Sequence, residues 1–484
     1  MEKGRGGGAV LIAGGGVGEG VWMTPLLWGL VVYILVQLGI GLFMVSKVRD
    51  EQDYLIAGRN VGLAMGVFSV FATWFGAESC VSASGKVYEN GLAGATVDPF
   101  GYGACLVLMG LVFAVPLWRR RLLTVADLFR ERYSVGVERF AVVLMVPTSL
   151  FWAAAQMRAF GQVFDAASEM GVDRGVWLGA VVAIVYTASG GLRADVVTDL
   201  FQGAVIIVGL LVVTWLAVGE SGGWVAAFRE VEPERLRVWD RGTGVWAVME
   251  EWAVPICGSV VAQELISRVI SARSPEVSRR ASLWGGGLYV TVGLMPVVLG
   301  MLAFRLMPGL EEPEQVLPLM AKRYLSGVWE VIFLGGLVSA ILSTVDSTLL
   351  AAAALVSHNV ILPLRGETSE RAKVNLARLC VVAGGLVSTL LALQSESIHT
   401  LVQSASSFGS SGIFVVVMFG LFTRFGGVVA AHAALAVGAL VWVYGTWVAP
   451  FSGVYLTSLI AAVFAYVTSE WTLAWMRRRD GVSE

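Results

Sequence analysis

Between Ser339 and Thr348, one apolar stretch carries five hydroxyls and a carboxylate: Ser339, Ser343, Thr344, Asp346, Ser347 and Thr348. Hydroxyl, carbonyl and carboxylate oxygens are the donors that a hard cation such as sodium prefers. On a helix Ser343 and Ser347 lie one turn apart on a shared face, as do Ala340 and Thr344, so side-chain and backbone oxygens can converge on one point. The plainer alternative is that small residues pack two helices while Ser and Thr bond back to their own backbone. Asp346 in the same run weighs against it, because an ionisable group in a bilayer costs several kcal/mol unless it faces a partner or water.

Few other charges fall inside apolar segments: Asp199, Glu78, Arg158 and Glu264 are the clearest. Two segments carry a polar, glycine-containing interruption at mid-depth, Ala72 to Ser79 and Pro255 to Ser259. Unwound backbone at membrane depth is tolerated only where it lines a cavity or is buried in protein, and a pair of broken helices five spans apart points to an inverted-repeat carrier; the plainer alternative is that Gly and Pro are simply common in membrane helices. Gly190 and Gly191 followed by Arg193 mark either a hinge at the cytoplasmic end or a tight turn between helices. The three histidines, His358, His399 and His432, are scattered, which gives no nucleophilic or metal cluster. Cys80, Cys105, Cys257 and Cys380 have no CxxC spacing and read as packing residues. We therefore expect no enzyme activity.

These residues must be held by elements that suit lipid. Of 484 residues 56% are apolar and 14% charged, and the net charge of −2 suggests neither a nucleic-acid nor a polyanionic partner. Runs of about 20 apolar residues are needed per crossing, and thirteen are expected. They are Pro25 to Met44, Ala64 to Val87, Pro99 to Leu117, Ala141 to Phe164, Val176 to Ser189, Val196 to Val218, Val245 to Val269, Ala281 to Leu306, Val328 to Leu355, Ala377 to Leu393, Leu401 to Leu421, Val428 to Val448 and Val454 to Met476.

Arginines follow the third, seventh and ninth runs and close the chain at Arg477 to Arg479, whereas the connections after the tenth and twelfth carry no Lys or Arg. Basic residues stay in the cytoplasm, so the N-terminus is expected outside and the C-terminus inside, in a multi-pass cell (inner) membrane protein. The loops 220–244 and 308–326 then fall outside as caps. Residues 1–24 read as a flexible tail, 25–476 as a single transmembrane domain, and 477–484 as a cytoplasmic tail. No obligate protein partner is inferred.

Several motifs together resemble the sodium:solute symporter family. They are Asp53-Tyr54-Leu55-Ile56-Ala57-Gly58-Arg59, then Gly190 to Ala194 with Thr198-Asp199 and Gln202, Glu264 to Arg268 leading into Ala272-Arg273-Ser274, and Ser343-Thr344-Val345-Asp346-Ser347. Their order along the chain is far more specific than any one of them. The resemblance implies an all-α LeuT-type core of two inverted five-helix repeats, 64–218 and 245–422, with accessory helices at 25–46 and 428–476. It implies sodium as the co-transported ion. The main sodium site would use the backbone carbonyls of Ala72, Phe75 and Ala340 with the hydroxyls of Ser343 and Thr344. A second site would use Asp199, Ser343 and Ser347, with Asp346 standing where some members have serine. Gly190, Gly191 and Arg193 would belong to the inner gate.

The family's substrate pocket lies beside the broken helices, so Trp74, Glu78, Asp98, Tyr102, Trp152 and Gln263 are the expected lining. The contexts of Trp74, Tyr102 and Trp152 resemble the high-affinity choline transporter branch, whose aromatics surround a quaternary ammonium; aromatic faces attract such cations. One departure is Ala262, where that branch has a further tryptophan. The expected function is sodium-coupled import of a small organic solute, choline-like or otherwise cationic or zwitterionic. Amino acids, carboxylates, sugars and nucleobase-like solutes stay open, as do a proton-coupled carrier and a transporter-like sensor.

Overall fold

The computed structural model describes residues 48–479 apart from 169, 230, 240, 241 and 396, together with eight helical positions between Trp28 and Phe43. The tail expected over 1–24, much of the first expected span and residues 480–484 lie outside the described residues.

Regular structure among the described residues is helical, with one isolated parallel bridge joining Val61 to Ala272. Only a helix satisfies every backbone polar group within its own segment, so this is the expected solution for so apolar a chain. Nine described helices are long and apolar enough to cross a bilayer, and a further pair, Val245–Gly258 and Gln263–Ser271, passes the same test as one span bent by 47°. The two longest of the nine, Ala77–Arg119 with 43 residues and Val172–Glu220 with 49, are at least twice the roughly 20 residues that one crossing needs. Each contains a glycine with left-handed φ, Gly91 at +66° and Gly191 at +59°.

The Val328–Ala354 helix is the centre of the molecule, buried at every position from Phe333 to Ala354. It packs chiefly against Val172–Glu220 and Val135–Ser168. Lipid gives helices no hydrophobic reason to associate, so small residues that allow close approach decide the contacts. A Cβ added at Gly336 would lie 2.7 Å from Val205, and one at Gly258 would overlap the Ser406 carbonyl. The last two helices, Val428–Val443 and Val454–Arg479, pack most extensively on each other. Trp215, Trp329, Trp471 and Trp475 lie exposed on the outer surface, consistent with aromatic belts at the interface.

Both expected interruptions exist. The Leu63–Ala72 helix stops, Thr73 to Gly76 turn, and a wide helical turn resumes at Ala77. The second break lies later than expected: Pro255 to Gly258 stay in a widened helical turn, and the chain opens at Ser259 to Ala262. Pro255 lies inside the continuous Val245–Gly258 helix, and the turn there is widened where its missing N–H leaves a carbonyl without a helical partner.

At one end of the bundle the 220–244 loop meets the segment that follows Ser397, since Glu232, Trp239 and Thr243 share a cavity with His399 and Gln403. Glu314 in the 308–326 connection accepts the Ile398 N–H at 3.1 Å at that end. The two long loops therefore cover the same face of the protein.

Candidate functional site

The hydroxyl run sits where the first break and the helix that follows the second meet the central helix. Thr344 Oγ1 lies 3.4 Å from the Ala72 carbonyl, at the last turn before the first break, and 3.2 Å from the Ala340 carbonyl of its own helix. Gly76 faces the same point: a Cβ there would stand 2.9 Å from Thr344 Oγ1 and 3.2 Å from the Ala340 carbonyl. Gln156 Oε1 approaches from the Val135–Ser168 helix and accepts the Ala77 N–H at 2.9 Å. Four oxygens from three chain segments thus converge. The Phe75 ring turns away, stacked at 4.4 Å on Phe71 and edge-on at 5.5 Å to Tyr289.

Ser343 and Ser347 point to the other side of the helix. Ser343 donates to Asp199 at 2.5 Å and lies 3.3 Å from Asp195, and Ser69 donates to the other Asp199 oxygen at 2.8 Å. Ser347 lies 2.9 Å from Asp195. Arg268 enters this cluster from the Gln263–Ser271 helix, donating to Asp195 at 2.9 Å, to the Ser69 carbonyl at 2.8 Å and to Ser347, with Asp199 at 3.4 Å. Asp195 and Arg268 are the functional residues that sequence reasoning missed. Asp195 precedes Asp199 by one helical turn on the same apolar helix, which was the available signal. Arg268 ends the Glu264 to Arg268 motif, and the bend at Ser259 to Ala262 carries its helix into the core, where it is 3% exposed.

Asp346 faces a third direction. Thr187 donates to its Oδ1 at 2.5 Å, next to Tyr186, whose hydroxyl pairs with Thr198 at 2.8 Å. It therefore joins neither the Thr344 convergence nor the Asp199 cluster through a hydrogen bond of its own.

Trp74, Tyr102 and Trp152 are brought together. Their ring centroids are 5.3 Å apart for Trp74 and Tyr102, 5.9 Å for Trp74 and Trp152, and 5.7 Å for Tyr102 and Trp152, and all three are buried. At these separations the rings touch, so a cation would be received over a face they present and not in the middle of them. Tyr102 is fixed by Ser406 at 3.0 Å, which in turn accepts from Ser259 in the second break at 3.3 Å. The Glu264 carboxyl lies beside the Trp74 indole.

Tyr102 also lines a cavity of about 770 Å³ that opens toward the end covered by the two long loops. Glu78 and Asp98 lie on its wall. Asp98 accepts from Tyr289 at 2.6 Å and from Ser79 at 2.8 Å.

Gln263 is not brought to this group. Its carbonyl caps the Val125–Arg132 helix by accepting the Val125 N–H at 2.8 Å, and its amide donates to Ser267 at 2.8 Å.

At the opposite end, Gly191 adopts φ +59°, and a Cβ there would lie 2.5 Å from Tyr54, whose hydroxyl donates to the Thr187 carbonyl at 3.0 Å. Arg193 pairs with Asp53 at 3.1 Å. Gly190 lies buried beside them.

The profile of the sodium:solute symporter family matches residues 54–438. The high-affinity choline transporter 1 of Caenorhabditis elegans is 27% identical over 385 residues, a stretch covering 72% of this chain and 63% of that protein; the chain thus spans under two thirds of that relative's length. The osmoregulated proline transporter OpuE of Bacillus subtilis (strain 168) is 24% identical over 481 residues, covering 94% of this chain and 96% of that one. Among solved structures, a Na+-coupled sialic acid symporter in a substrate-bound outward-open state superimposes with a TM-score of 0.81 at 16% identity, covering 92% of this chain and 98% of that chain. These relatives are transporters and not enzymes. With its helical bundle, its paired breaks and a profile match over most of its length, the chain is a multi-pass membrane protein that belongs to the sodium:solute symporter family.

Proposed function

We propose that the protein is a sodium-coupled symporter that carries a small organic cation inward by alternating access. The observation that carries this reading is the approach of Thr344 Oγ1 to the Ala72 and Ala340 carbonyls, two residues along the chain from Trp74. Sodium held there, with Ala72, Ala340 and Thr344 as ligands and Phe75 contributing its carbonyl, would draw the central helix against the first break. The same step would order the Trp74, Tyr102 and Trp152 faces that receive the cation, which is selection of one conformation by differential binding.

The ends of the bundle take different roles in this reading. The cavity beneath the long loops is the outer entrance. The chain crosses thirteen times, each long helix counting twice and the bent pair and the first expected span once, with the N-terminus outside. Gly191 against Tyr54 and the Asp53–Arg193 pair close the inner end and part to release the solute. Inward release follows the low cytoplasmic sodium, and the membrane potential adds about 2.3 kcal/mol per charge at 100 mV.

Ser343, Ser347 and Asp199, with Asp346 beyond them, would form the second sodium position. Support favours a different assignment, because Arg268 already places a guanidinium among Asp195, Asp199 and Ser347. We assign the standing positive charge there to Arg268 and the exchangeable sodium to Thr344.

The test is thermal stability of the purified protein as NaCl replaces KCl at constant ionic strength. A ligand that binds the folded state raises its apparent stability, so Tm should climb with sodium and saturate. Equal curves in the two salts would sink the reading.

A further inference from the structure

Two carboxylate oxygens beside the aromatic trio are buried and accept no hydrogen bond from the described residues: Glu78 Oε2 and Asp98 Oδ1. Each residue is 2% exposed, and both line the 770 Å³ cavity together with Tyr102. Asp98 has spent its other oxygen on Tyr289 and Ser79, and among the described residues neither acid takes part in an ion pair. The cavity as a whole carries seven carboxylates against three basic side chains, one of which, Arg235, is turned onto the Val87 and Tyr88 carbonyls.

A buried acceptor without a donor costs its full desolvation penalty, and buried charge is ordinarily paired. No described protein group supplies the donor these oxygens lack, so a ligand that carries N–H groups can replace water there. We propose that the transported cation bears N–H donors, as a primary, secondary or tertiary ammonium or an amidinium does, and that Glu78 and Asp98 select it over a quaternary ammonium. This inference rests on the symporter reading above and deepens it.

The chemistry separates the two classes. A quaternary ammonium satisfies aromatic faces, because its charge is spread over methyl groups, but it cannot donate to a carboxylate. Over Tyr102 it would displace water from Glu78 and Asp98 and leave both oxygens bare. An N–H cation meets the ring face and the carboxylates at once. Sites built to hydrogen-bond a group discriminate strongly against analogues that lack it, and charge-assisted bonds are the stronger kind.

The experiment uses the purified full chain in saturating sodium and reads thermal stabilisation by ethanolamine, N-methylethanolamine, N,N-dimethylethanolamine and choline. The same skeleton thereby carries three, two, one and no N–H bonds. A second pair, 1,4-diaminobutane and its bis-trimethylammonium analogue, covers a longer solute. The N–H members are expected to bind at least about tenfold more tightly than their quaternary partners. Glu78→Gln and Asp98→Asn are each expected to narrow that gap while leaving the rise in Tm caused by sodium alone unchanged.

Equal or tighter binding of the quaternary members overturns the proposal, as does the failure of every probe to bind. A shift in sodium response in either variant also overturns it, since that would make the acids ion ligands. If sodium alone fails to raise Tm, the symporter reading itself falls, and the two failures stay distinguishable.

Discussion

Arg268 and Asp195 form an ion pair at 2.9 Å with side chains 1% and 2% exposed, joining the helix after the second break to the helix that carries Asp199. Removing one partner of such a pair leaves an uncompensated buried charge, which typically costs about 3–5 kcal/mol. Arg268→Gln and Asp195→Leu should each lower thermal stability strongly, and the double variant should lose less than the sum of the two. A double loss equal to the sum would show that the pair does not act as a unit. If Arg268 supplies the fixed charge near Asp199, sodium binding should titrate with a Hill coefficient near one; a value approaching two would restore the second sodium.

Thr344 and Gly76 face each other across the first break. Thr344→Ala removes a hydroxyl that approaches two carbonyls and should raise the sodium concentration for half-maximal stabilisation by at least about tenfold, the equivalent of roughly 1.4 kcal/mol. Ser343→Ala should also raise it, but less, because Ser343 donates to Asp199 and not to the Ala72 side. Gly76→Ala puts a methyl 2.9 Å from Thr344 Oγ1. The expected defect is loss of the sodium response, measured by the same titration.

Gly191→Ala strains the chain twice, through φ +59° with ψ −166°, a region kept for glycine, and through contact with Tyr54. It should destabilise the closed inner end, read as faster modification of a cysteine introduced at Ser189. An unchanged rate would remove Gly191 from the gate.

Outside the spanning helices, burial raises the Asp127 carboxyl, but His358 and the N–H groups of Thr124 and Leu123 outweigh it and hold it below its usual value. A depressed carboxylate contributes stability above its unfolded pKa and loses it as pH falls through the folded one. Asp127→Asn should therefore lower Tm at neutral pH, with the gap to wild type closing below about pH 4. A gap that persists in acid would mean that Asp127 acts through shape alone.

The helical class, the two breaks and the Ser343 to Ser347 run were legible because lipid forces long apolar segments and makes each polar group inside them conspicuous. Thr344 meeting Ala72, and the meeting of Trp74, Tyr102 and Trp152, followed from motif resemblance, since those residues are far apart in the chain. Side-chain direction was not legible. Ser343 and Ser347 share a face as expected, yet that face looks toward Asp195 and Arg268, and Gln263 is drawn off to cap Val125. Such choices depend on which neighbour a bent helix meets, and periodicity does not carry that information. The later position of the second break has the same origin, because Gly258 packs on the Ser406 carbonyl and keeps its turn intact.

The most direct measurement of the central claim is uptake into proteoliposomes of labelled ethanolamine and labelled choline, with an inward sodium gradient, an inward proton gradient or neither. The account predicts that accumulation requires the sodium gradient, that Thr344→Ala abolishes it at low sodium, and that ethanolamine exceeds choline. Cation uptake driven equally well by protons, or indifferent to both gradients, would contradict it.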